Sequence, residues 1–71
     1  MDNEELLSGT MLILRNKGAK DISAEIQPNP RNYLNTLYCS YYIGGSKKCF
    51  AVVVGYYTND EVYREIVEIV A

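Results

Sequence analysis

Apolar residues near the start recur at helical spacing. Leu7, Met11 and Leu14 stand at i, i+4 and i+7, with Leu6 and Ile13 beside them, which predicts an amphipathic helix over residues 2–17. Asp2 and Glu5 have the spacing of a capping box, and Gly18 after Lys17 suits a helix C-terminus. Ser8-Gly9 weakens the interior, the glycine by about 1 kcal/mol relative to alanine. The stretch TMLILRNKGAKDISAEI (10–26) also permits a hairpin turning at Asn16-Lys17-Gly18. The helix is the preferred reading and the hairpin the alternative for residues 10–24.

The period then changes from helical to two. Ile22, Ala24 and Ile26 alternate with Ser23, Glu25 and Gln27 in DISAEIQ, the mark of a half-buried strand. PNPRN (28–32) reads as a loop, because proline cannot donate to a ladder. YLNTLYCSYYI (33–43) and KCFAVVVGYY (48–57) read as two strands around GGSK. In the final segment TNDEVYREIVEIVA, Thr58 and Glu61 form a capping box. Val62, Ile66, Ile69 and Val70 make one apolar face, with Asp60, Glu61, Glu65 and Glu68 mostly turned away. The order is α-β-β-β-α in one domain, residues 1–71. The economical packing is a two-layer α+β fold, a three-stranded antiparallel meander with two helices on one face.

The hairpin register sorts the side chains. A two-residue turn fits at Gly45-Ser46, pairing Tyr41 with Phe50, or at Gly44-Gly45, pairing Cys39 with Phe50. In both, odd residues of the first strand share a face with even residues of the second. Phe50, Val52 and Val54 then join Leu37, Cys39, Tyr41 and Ile43 inside. Thr36, Tyr38, Ser40, Tyr42, Cys49, Ala51, Val53, Gly55 and Tyr57 lie outside. A disulfide needs Cβ atoms about 3.8 Å apart and facing each other, so Cys39 and Cys49 on opposite faces are expected to be free thiols.

Composition narrows the chemistry. The chain has 71 residues, 48% hydrophobic, with a net charge of −2 and a pI near 4.9. It contains no histidine, so no Ser-His or Cys-His pair exists to activate a nucleophile. Two thiols facing opposite ways do not assemble a zinc site. The helix glutamates are expected in water, where nothing shifts them toward general acid-base work. GGSKK joins two strands instead of opening a helix, unlike a phosphate loop. The reading is a non-enzyme without metal or cofactor. Apolar runs such as MLIL and FAVVV are far shorter than the roughly 20 residues of a membrane helix. MDNEELL lacks the charge pattern of a secretory signal, and a cytoplasmic protein is expected, with no membrane partner.

The element order and length resemble the double-stranded RNA-binding domain. That resemblance implies a basic motif at the start of the last helix, where duplex phosphates dock. Here TNDEVYRE (58–65) puts Asp60 and Glu61 there, which suit a helix N-terminus and repel phosphate. Nucleic-acid binding is therefore the alternative reading. The preferred one is a protein-binding module of inhibitor or adaptor type, of the kind phages and mobile elements encode, meeting a protein partner or a second copy of itself. Its candidate surfaces are a tyrosine-rich sheet face (Tyr38, Ser40, Tyr42, Cys49, Val53 and Tyr57) and an acidic helix face (Asp60, Glu61, Glu65 and Glu68). Tyrosine gives large contact area at small rotamer cost.

Overall fold

A computed structural model describes residues 3–71. The elements are α1 (Asn3–Asn16), β1 (Lys20–Pro28), β2 (Asn35–Ile43), β3 (Ser46–Val53) and α2 (Asn59–Ile69), an α+β fold. The helix therefore prevails over the hairpin at residues 10–16. The expected cap at Asp2 lies outside the described residues. At the other end of α1 a Schellman motif forms as expected for Gly18. Its φ is 85°, Gly18 N–H donates to the Arg15 carbonyl and Ala19 N–H to the Leu14 carbonyl, so two terminal carbonyls are satisfied.

The buried stripe of α1 differs from the expected one. It runs Leu6–Thr10–Leu14, with Leu7, Met11 and Ile13 only half-buried. Thr10 sits in it because its hydroxyl donates to the Leu6 carbonyl at 2.8 Å, removing the cost of burying an unpaired polar group.

The three strands form one antiparallel sheet in the order β1-β2-β3. Of the two expected turns, Gly44-Gly45 is the one found, with Ile43 opposite Ser46 and Cys39 opposite Phe50. Both glycines have positive φ, 57° and 81°, as a type I′ turn demands. β1 enters through an irregularity between Lys20 and Ser23, where Asp21 takes a φ of 52°. Pro28 extends β1 instead of starting the loop, and the edge position tolerates its missing N–H.

Both helices pack on the same face of the sheet. Leu6 of α1, Leu37, Val52, Val54, and Val62 and Ile66 of α2 form one buried cluster. Leu14, Ala19, Cys39 and Tyr41 form a second, where the Tyr41 ring meets Phe50 edge-on at 6.1 Å. The parity of the hairpin holds, and Cys39 is buried while Cys49 is exposed, both thiols free. Thr36 departs from expectation. It faces outward between Gln27 and Val53 on the central strand yet is 2% exposed. Its hydroxyl donates to the Leu34 carbonyl.

α2 opens with the expected capping box. Glu61 N–H donates to the Thr58 hydroxyl and Thr58 N–H to the Glu61 carboxylate. Its buried arc is rotated from expectation. Val62 and Ile66 are buried, Tyr63 and Val70 half-buried, and Ile69 is 42% exposed. Tyr63 is the reason. Its hydroxyl donates to the Glu5 carbonyl of α1 at 2.9 Å, and its ring fills the space that Gly9 leaves. A Cβ on Gly9 would stand 2.6 Å from Tyr63 Cε1 and nearer still to Cζ and the hydroxyl. The glycine that weakens α1 as a helix is what lets the two helices close together.

Candidate functional site

Neither helix covers the other face of the sheet. Read across β1, β2 and β3, its rows are Gln27–Thr36–Val53, Glu25–Tyr38–Ala51 and Ser23–Ser40–Cys49. Tyr42 follows between Lys20 and Lys47. Small residues around Tyr38 leave an open depression of about 390 Å³ whose lining includes Ser23, Glu25, Tyr38, Ser40, Cys49 and Ala51. Three of the expected surface residues, Tyr38, Ser40 and Cys49, thus come together. Tyr42, 38% exposed, does not line the depression. It stands two residues beyond Ser40, about 13 Å along β2 from Tyr38 at strand spacing.

A larger groove of about 510 Å³ runs between β3 and α2. β3 is an edge strand. Val52 and Val62 supply the apolar floor, Ala51, Val53 and Tyr57 one wall, and Glu61, Arg64, Glu65, Glu68 and Ile69 the other. Val53, Tyr57, Glu61, Glu65 and Glu68 are therefore gathered in one place, although the sequence assigns them to two surfaces. Tyr57 corrects the expectation that it belongs to the sheet face. β3 ends at Val53, a turn closes with Tyr57 N–H donating to the Val54 carbonyl, and Tyr57 lines the groove beside α2. Asp60 lines neither concavity and stays exposed in the first turn of α2.

The local electrostatics suit charge contacts more than proton transfer. Glu61 is held below the usual carboxylate range by the Thr58 backbone N–H first and the Thr58 hydroxyl second, so it is ionised at neutral pH. Burial pushes the Cys39 thiol up to about 11, which leaves it protonated and a poor nucleophile. Among the described residues, no group of three or more cysteines or carboxylates is placed to hold a metal. Among the described residues, no helix is long and apolar enough to cross a membrane.

Several exposed residues escaped the sequence reading. Tyr33 and Tyr56 are 81% and 78% exposed, both in loops at the end of the sheet away from Gly44-Gly45. Tyr33 has a φ of 60°, a costly left-handed conformation for a tyrosine. Alternation could not reveal them, because both lie in apolar-aromatic runs that read as strand. Arg64 and Ile69 were missed as groove residues because their position depends on how α2 is turned. No protein-family model matches the chain, and neither a curated protein nor a solved structure gives a significant match.

Proposed function

We propose that the protein is a small non-catalytic protein-binding module, an inhibitor or adaptor, working through the uncovered sheet face and the groove beside it. One observation carries this reading. Ala51 lines both the depression and the groove, so the two concavities form a continuous surface wrapped around the free edge of β3. That surface offers an aromatic anchor in Tyr38, an apolar floor and a polar rim, the anatomy of a protein interface. A reducing cytoplasm suits its two free thiols, and a phage or mobile-element origin suits its size. Nucleic-acid binding, suggested by the α-β-β-β-α order, is the second reading, and the carboxylates opening α2 oppose it.

The test is affinity capture from the source cells with the parent and with Tyr38→Ala, followed by titration of the recovered partner. Truncating a central interface tyrosine costs about 2 kcal/mol, roughly thirtyfold in affinity, with the melting temperature unchanged. A partner bound equally by Tyr38→Ala and by a Glu65→Gln/Glu68→Gln variant would remove both halves of the surface. Salt-sensitive micromolar binding of duplex RNA at ~50 mM salt would favour the second reading.

A further inference from the structure

We infer that the groove between β3 and α2 takes an extended basic peptide segment, added to the sheet as a fourth strand. This rests on the protein-binding reading and names the chemistry of the partner.

The backbone comes first. Ile43 and Ser46 flank the two-residue turn and exchange hydrogen bonds, so Ser46, Lys48, Phe50 and Val52 aim their backbone groups at β2. Val54 N–H, of the same parity, donates to the Asn35 carbonyl beyond the strand end. Lys47, Cys49, Ala51 and Val53 therefore aim theirs at the free edge. An unpaired edge beside a helix is a template for strand addition.

Charge selects the occupant. At about 100° per residue, Glu61, Arg64, Glu65, Glu68 and Ile69 occupy one continuous arc of α2, and all line the groove. Three carboxylates face one guanidinium there. Glu61 and Glu65 stand about 6 Å apart along the helix axis, close to the ~6.7 Å between alternate side chains of a strand. A segment with lysine or arginine at alternate positions sets those side chains against α2. Its intervening residues lie on the open side beside Ala51 and Val53, where small or apolar groups fit.

Geometry disfavours a second copy in the same place. Strands add about 4.8 Å each, whereas helices are about 10 Å thick. A partner sheet would drive its own α2, with the same carboxylates, against this one.

The probe is a fluorescein-labelled peptide alternating lysine and valine, read by polarisation against the intact protein. A peptide alternating glutamate and valine serves as control. Only the lysine peptide should bind, and Glu65→Gln/Glu68→Gln should weaken it about tenfold. Ala51→Pro deletes an edge-facing N–H at a position where an edge strand tolerates proline, and should abolish binding. If that variant fails to fold, a backbone-N-methylated probe against the parent protein tests the same hydrogen bonds. No binding, equal binding of the glutamate peptide, or full binding of the methylated probe would overturn the proposal. So would a dimer in sedimentation that Ala51→Pro dissolves, since the second copy would then own the edge. Loss of the peptide with retention of a Tyr38-dependent partner would sink the groove assignment and leave the broader reading standing.

Discussion

Replacing Gly9 with alanine should destabilise the protein, against the ordinary rule for helices. In an exposed helix interior the change gains about 1 kcal/mol. Here the new methyl would overlap the Tyr63 ring, at 2.6 Å from Cε1. The ring has little room to yield, because its hydroxyl is tied to the Glu5 carbonyl one turn earlier in α1. Breaking that hydrogen bond costs about 1 kcal/mol, and forcing a methyl into a packed contact about 1–3 kcal/mol. The net loss is about 1–3 kcal/mol. In a domain of this size each kcal/mol moves the melting temperature by about 4–8 °C, so Gly9→Ala should melt at least about 4 °C below the parent by circular dichroism. A double-mutant cycle isolates the cause. In a Tyr63→Ala background the obstacle is gone, and Gly9→Ala should then stabilise by about 1 kcal/mol. If Gly9→Ala raises the melting temperature with Tyr63 in place, the helix–helix contact is not what holds the glycine there.

Adjacent tyrosines should behave oppositely. Tyr41→Ala, at 4% exposure and against Phe50, should cost about 3 kcal/mol or more, while Tyr42→Ala should change stability by less than about 0.5 kcal/mol; the reverse pattern in thermal melts would mean the sheet faces the other way. Native thiol titration should show Cys49 reacting at once and Cys39 slowly, with two thiols counted after unfolding without reductant; an intramolecular disulfide would contradict the register. Stability should fall in alkali. The Cys39 pKa rises from 9.0 to about 11 on folding, and burial likewise raises Tyr41 and Tyr63. The folded state thus keeps protons that the unfolded state has lost, so this contribution is complete below pH 9 and drains away as pH rises toward 11 and beyond. Urea melts across that range should show the decline, and Cys39→Ala should lessen it; a flat profile would refute the burial of these groups.

The element order was legible because each element carries a local signal that nothing distant contradicts. Thr58 and Glu61 cap α2 from within four residues, Gly18 marks the end of α1, and GGS (44–46) marks a hairpin whose two possible turns, Gly44-Gly45 and Gly45-Ser46, keep the same parity. Parity then followed, and with it the split of Cys39 from Cys49. Strand ends were less legible. YLNTLYC and VVVGYY are apolar enough to read as strand throughout, yet β2 begins at Asn35 and β3 stops at Val53. Tyr33, Tyr56 and Tyr57 were accordingly placed on a sheet they do not join. Thr36 fell outside the reach of alternation, which gives the side to which a residue points and not how far its surroundings bury it.

The groove was the least legible feature, and Ile69 shows why. Around an isolated helix Ile69 lies within about 20° of Val62, and any helical wheel puts the two on one face. Which arc turns inward is settled by contacts the wheel does not contain. Tyr63 lies about 100° to the other side of Val62, and it anchors on α1 because Gly9 has no side chain to exclude it. Accommodating that ring centres the buried arc between Val62 and Val70 and leaves Ile69 outside. Turned outward, Ile69 stands beside Glu61, Glu65 and Glu68 in the lining of the groove along β3. Ile69 thereby joins the groove through a missing methyl group on the opposite side of α2, a relation between positions 9 and 63 that no local pattern in the chain encodes.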